Sequence, residues 1–246
     1  NQSYLVNKSG TLINRRNAAT TGGGYSHTQQ IIRYRRNQYI KYDVGAYPHI
    51  EPSDSLRMMD TARQLEHVIA EDTFDESLTV YGGILLGRLP DNNILFMGED
   101  GFLSVDYLTG ERTLLKPFSE IQDFPTIPSG IPRDIEQIGD IIYFTTLGSE
   151  FYRIDSTTLE YEAVPLEGDL ANAEIGTIAP ASTGKLYLFS ETHTAIFEYD
   201  LVSGESNLIS GMGRGLGEPL RSFAWMDSLG DDEFLTRTSD LWNLYR

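Results

Sequence analysis

Four segments of the chain repeat one pattern: Phe102-Leu-Ser-Val-Asp106, Phe151-Tyr-Arg-Ile-Asp155, Ile196-Phe-Glu-Tyr-Asp200 and, less faithfully, Leu241-Trp-Asn-Leu-Tyr245. Their last residues fall 49, 45 and 45 positions apart. A repeat of that period is one supersecondary unit that cannot bury its apolar side alone and must stack on its neighbours. Each copy is an apolar strand that usually ends in Asp, then a turn such as Leu108-Thr-Gly-Glu111 or Val202-Ser-Gly-Glu205, then another strand. Several short strands per period, with turn residues between them, describe the blade of a β-propeller. The expected fold is therefore all-β.

Strands at 175–179, 185–189, 195–199 and 206–209 make one complete four-stranded blade. The copy before it runs through 135–138, 141–145, 151–154 and 161–164, with Gly139-Asp140 as a tight hairpin. The next one upstream uses 83–87, 94–97, 102–105 and 113–115. At the C-terminus, 222–226, 233–236 and 241–245 supply three strands without an outermost fourth. An open edge invites pairing, so Ser3-Tyr-Leu-Val6 is expected to complete that blade and close the ring with the other terminus. Blade one would then hold 11–14, 30–34 and 38–43. Blade two would hold 56–59, 65–69 and 77–81, within residues 55–82. The count is six, with five or seven as neighbouring counts. A competing register aligns Asn14 and Asp60 with Asp106 at steps of 46 and gives five blades plus partial ones at each end.

A chain of 246 residues fits one closed all-β ring, so residues 1–246 read as a single domain. Apolar residues make up 40% of it, yet no apolar run is long enough for a membrane span. With no cysteine, disulfides, thiolate catalysis and cysteine-held metals are excluded. The chain opens at Asn1 with neither an initiator Met nor a basic-then-apolar leader, which points to a removed targeting segment or a trimmed start.

Charge is unevenly spread. Lys8, Arg15, Arg16, Arg33, Arg35, Arg36 and Lys41 all precede the first carboxylate, Asp43. The net charge of −17 thus combines a sector at +7 with a remainder of 12 basic and 36 acidic residues. Such a balance repels nucleic acid over most of the surface and leaves one cationic sector.

Gly211-Met-Gly-Arg-Gly-Leu-Gly-Glu218, followed by a hydrophobic strand pair, resembles the Gly-rich connector of NHL-type six-bladed propellers, especially the extracytoplasmic ones of Bacteroidetes. The strand-Asp-x-x-[Ser/Thr]-Gly turn is also similar to that of WD40 and quinoprotein propellers, although the inter-blade His of WD40 is not evident. The resemblance covers mainly residues 83–246. It implies a bacterial, extracytoplasmic setting (periplasmic, cell-surface or secreted), and it includes propellers that act as metal-dependent lyases.

Against this background the catalytic signals are weak. The Gly-x-Gly-x-Gly run lacks the preceding parallel strand and following helix of a dinucleotide site. Asp106, Asp155 and Asp200 recur at equivalent positions, which suits side-chain capping of the following turn better than acid–base work. His27, His49, His67 and His193 show no metal-ligand spacing. The acidic pairs Glu71-Asp72, Glu99-Asp100 and Asp231-Asp232 lack the alternating ligands and central Gly of a calcium loop. No metal or cofactor is expected. Most aromatics fall in strands and serve the core, whereas Tyr25, Tyr47 and Tyr107 lie in loops or turns where a ligand could meet them. The chain therefore reads as a non-catalytic recognition or scaffold propeller that binds a protein partner or an anionic glycan at one end of the ring. Its expected contacts are Arg15, Arg16, Arg33, Arg35 and Arg36 with those three tyrosines. The alternative class is a carbohydrate-active hydrolase or lyase, or a metal-dependent lyase on the same frame.

Overall fold

Short runs of β-branched and aromatic residues, bounded by Gly, Pro, Asn and Asp, are too brief for helices and pair as antiparallel meanders. A computed structural model describes residues 29–35, 38–43, 54–60, 62–72, 78, 80, 83–98, 100–121, 134–146, 150–211, 225–230, 233–237 and 242–245. In these residues the chain forms β1 (Gln29–Arg35), β2 (Gln38–Asp43), β3 (Asp54–Asp60) and β4 (Leu65–Asp72), hydrogen-bonded in that order as one sheet. A second sheet follows the same order with β5 (Ile84–Arg88), β6 (Ile94–Gly98), β7 (Gly101–Val105) and β8 (Arg112–Pro117). The third holds β9 (Asp134–Ile138), β10 (Ile141–Thr145), β11 (Phe151–Asp155) and β12 (Tyr161–Ala163). The fourth holds β13 (Ile175–Pro180), β14 (Lys185–Ser190), β15 (Ala195–Asp200) and β16 (Ser206–Gly211). The last has β17 (Trp225–Gly230), β18 (Glu233–Arg237) and β19 (Trp242–Tyr245).

The three central blades and the three C-terminal strands thus fall where the repeat puts them. The N-terminal third does not. Residues 55–82 are not a separate second blade, because β3 and β4 are the outer strands of the sheet that begins with β1 and β2. The aromatic-Asp ending at Asp43 closes a second strand, not a third. Asp60 is the true counterpart of Asp106, as the competing register has it, and Leu78 and Val80 lie outside any strand. Asn14 and the proposed closing strand at Ser3–Val6 lie outside the described residues.

The chain divides into two compact units, one built on β1–β8 and the other on β9–β19. In the first, the opening strands β1 and β5 lie side by side. Ile32, Tyr34, Ile40, Tyr42, Leu56 and Met58 of one sheet form a common core with Leu85, Ile94, Phe96, Leu103 and Val105 of the other. Fully burying a Leu- or Phe-sized side chain is worth about 1.5–3 kcal/mol, so this shared face holds the two sheets together. Tyr42 meets Phe96 edge-on at 5.1 Å, and its hydroxyl sits 2.5 Å from Asp54 Oδ2 and 2.8 Å from Val80 O.

In the second unit β13 lies between β9 and β17. Leu186 and Leu188 of β14 pack with Tyr143 and Phe151 of the third sheet. Tyr187 and Phe189 pack with Ile196 and with Met226 of the last sheet. The alternation along one strand thus feeds two cores, and the fourth sheet is covered on both sides. Buried Asp134 accepts hydrogen bonds from Thr177 Oγ1 and, at 3.1 Å, from Ile178 N, which ties β9 to β13. Four-stranded meanders stacked face to face, with their first strands adjacent, are the blades of a β-propeller.

Three outer strands carry the same irregularity. Ile69 in β4, Leu115 in β8 and Ile209 in β16 are additional residues that interrupt the pairing. Each lies at the step after Leu56, Phe102 or Ile196, four positions before the strand-end Asp.

Candidate functional site

Asp106, Asp200 and Asp60 hold turns. Asp106 Oδ1 accepts hydrogen bonds from Leu108 N and Thr109 N at 2.8 Å, and Asp200 Oδ1 accepts them from Val202 N and Ser203 N at 2.9 Å. Asp60 Oδ1 accepts one from Arg63 N at 3.0 Å. These N–H groups favour the ionised form and hold all three carboxyls below the usual range. A carboxylate spent on its own turn is not a free acid or base.

The β7–β8 turn begins at Asp106 and presents Tyr107, half-buried, and Leu108, which is 72% exposed. Gly110 N donates to Asp106 O at 2.8 Å, and Gly110 has a φ of +73°. A Cβ there would lie 2.1 Å from Ile69 O, so the turn presses against β4 where only glycine fits.

At the end of β1 the pairing jumps from Arg33↔Tyr39 to Arg35↔Gln38, so Tyr34 is an additional residue. Such a bulge re-aims neighbouring side chains. Tyr34 is buried and donates its hydroxyl to Asn92 O at 2.7 Å, while the Arg88 guanidinium donates to Tyr34 O at 3.2 Å. Burial pushes the phenol up to about 12, against the opposing pull of Arg35. The Tyr34 and Tyr107 rings lie 5.2 Å apart at 44°. Exposed Arg35 places its guanidinium carbon 5.0 Å from the Tyr34 centroid and 5.5 Å from that of Tyr107. Each such contact at an exposed site is worth about 0.5–1 kcal/mol.

Five other described cations form ion pairs. Arg153 pairs with Glu162, Lys185 with Glu198 at 2.5 Å, Lys41 and Arg57 with Glu66, and Arg63 with Asp60. Among the described residues Arg35 makes neither an ion pair nor a side-chain hydrogen bond. Its charge rests on two rings, and the side chain is exposed.

Of the residues the sequence singles out, Arg35 and Tyr107 are therefore brought together. Arg33 lies in β1, with its backbone paired to Tyr39. Arg15, Arg16, Arg36, Tyr25 and Tyr47 lie outside the described residues, as do His27, His49 and Gly-rich positions 212–218. The sequence alone does not mark Tyr34, because a tyrosine inside a strand reads as core; its place between Arg33 and Arg35 is the signal that could find it. His67 is exposed on β4, and His193 Nδ1 lies 2.9 Å from Ser190 Oγ within the β14–β15 turn. Among the described residues no three His, Asp or Glu side chains converge as metal ligands.

The second unit has an open cleft of about 410 Å³ between the 3₁₀ turn Gly168–Leu170 and the β15–β16 turn. Glu167, Asp169 and Glu205 line it with Ser203 and Asn207. Its charge is opposite to that at Arg35.

No family model and no curated protein matches the chain. Solved structures do match its fold. One is the extracellular domain of a one-component system from Bacteroides thetaiotaomicron, with 11% identity and a TM-score of 0.50 over 96% of this chain and 30% of that one. Another is a Bacteroides thetaiotaomicron protein of unknown function, with 13% identity and a TM-score of 0.54 over 81% of this chain and 54% of that one. The nidogen–laminin complex matches with 13% identity and a TM-score of 0.49 over 81% of this chain and 67% of that one. The chain spans about a third of the first and about half of the second. No helix among the described residues is long and apolar enough to cross a membrane. At these identities the likeness is one of fold.

Proposed function

We propose that the chain is a non-catalytic recognition propeller that engages an anionic ligand where the end of β1 and the β7–β8 turn meet. The observation that carries this reading is Arg35, a guanidinium braced by two tyrosine rings and without a carboxylate partner among the described residues, in a protein of net charge −17. A planar fork held in place loses little freedom when it takes a carboxylate or phosphate in two parallel hydrogen bonds. In the same reading Arg15, Arg16, Arg33 and Arg36 extend the cationic surface, and Tyr25, Tyr47 and Tyr107 flank it. An extracytoplasmic, NHL-like ring of one domain, closed by Ser3–Val6, is the frame we infer for it.

Replacing Arg15, Arg16, Arg33, Arg35 and Arg36 by Ser tests the proposal. Binding to polyglutamate, polygalacturonate and dextran sulfate is measured at low and physiological salt, since exposed charges are screened beyond about 8 Å at the latter. At least one polymer is expected to bind wild type and to lose tenfold or more with the variant. Equal binding of every polymer by the two proteins would overturn the reading.

A further inference from the structure

We propose that the ligand at this end is an acidic protein segment, in which a carboxylate for Arg35 is neighboured by an apolar or aromatic side chain. The inference rests on the recognition reading and adds the class of partner. Next to Tyr107, the turn holds Leu108 at 72% exposure, an aliphatic group with no role in the turn's hydrogen bonds. The same turn presses on β4 at Ile69, and the residue before that, Val68, is 47% exposed. The cation thus lies on the tyrosine, and exposed aliphatic side chains neighbour in sequence both the tyrosine and the β4 residue that its turn touches.

Sugars are gripped by open aromatic faces and dense arrays of hydrogen-bonding side chains. Here Tyr107 already carries both Tyr34 and Arg35 against its ring, and exposed Leu and Val offer nothing to hydroxyl groups. An apolar side chain covering them gains about 25 cal/mol for each Å² removed from water. Arginine and tyrosine beside such a surface are the residue types on which protein interfaces concentrate binding energy. Asp106, the one carboxylate of this turn ahead of Tyr107, is occupied by Leu108 N and Thr109 N and makes no ion pair with Arg35 among the described residues.

The test compares a random glutamate–tyrosine copolymer, polyglutamate and polygalacturonate of matched charge, with binding followed by fluorescence anisotropy. Wild type is expected to bind the copolymer at least tenfold tighter than polygalacturonate. Arg35→Gln should lose at least tenfold on the copolymer, Arg35→Lys should fall between, and Leu108→Ser should lose at least threefold on the copolymer while leaving polyglutamate unchanged. Both side chains are exposed, and unchanged thermal unfolding would verify that the variants fold. Polygalacturonate binding as tightly as the copolymer, with the same dependence on Arg35, would overturn the protein class while leaving recognition at this site standing. Insensitivity of every polymer to Arg35→Gln would overturn both.

Discussion

Tyr34 serves both the core and the candidate site with one side chain. Its ring belongs to the core between the first two sheets, its hydroxyl is committed to Asn92 O, and one ring face carries Arg35. Because burial raises the phenol from 10.0 to about 12, the folded state holds this proton more tightly than the unfolded chain does. Its contribution to stability is complete below pH 10 and is lost as the pH rises from 10 through 12. Tyr143, Tyr152 and Tyr199 are shifted in the same direction by burial, so the alkaline decline is shared. Urea midpoints measured from pH 8 to 12 isolate the share of Tyr34. Tyr34→Phe is expected to cost about 0.5–1.5 kcal/mol at pH 8, the net value of one hydrogen bond, and to decline less steeply than wild type above pH 10. Parallel curves for the two proteins would show that the phenol is not held in this way.

The hairpin after each third strand repeats in backbone more faithfully than in sequence. The fourth residue after the strand-end Asp has positive φ in all four copies: Gln64 at 55°, Gly110 at 73°, Leu159 at 57° and Gly204 at 74°. Glycine stands at only two of them. A side chain in that region costs about 1–2 kcal/mol, whereas glycine there adds about 0.5–1 kcal/mol of unfolded-state entropy. Gln64 is exposed, so Gln64→Gly removes strain without emptying a core. The expected gain is about 0.5–1 kcal/mol by urea denaturation; a loss would mean that the Gln64 side chain holds the turn by another route. This imperfect marking also explains what the sequence conceals. The second to fourth sheets are legible because each third strand ends in a single Asp, followed by a glycine turn in the second and fourth. In the first sheet Asp43 and Asp60 end adjacent strands, and Gln64 replaces the expected glycine, so one sheet reads as two blades. The site is legible in the same partial way. Arg35 stands out by charge and Tyr107 by its place in a turn, but they lie in different sheets and meet through a bulge at Tyr34 that no local pattern announces. Bulges at Ile69, Leu115 and Ile209 are equally silent in sequence; they bend the outer edges and make them poorer templates for an added strand.

Across the whole chain, four sheets have a fourth strand of their own, and the last has three among the described residues. Among the described residues no strand pairs with the outer edge of β19. Residues 1–28 belong to no described sheet, and the first sheet already has four strands. Ser3-Tyr-Leu-Val6 is a short apolar-rich segment of suitable length. It precedes seven basic residues with no acid among them, in a chain whose remaining residues are strongly acidic, so attraction between the sectors favours such a pairing. Deleting residues 1–13 tests the closure without touching Arg35, Tyr34 or Tyr107. Amide hydrogen exchange should show at least tenfold faster exchange over Trp242–Tyr245, because those amides lose the strand that covers their edge. Exchange in β6 and β10, inner strands paired on both sides within their own sheets, should be nearly unaffected. If Trp242–Tyr245 exchanges at the same rate in both proteins, the N-terminal segment does not complete the last sheet, and some other strand must.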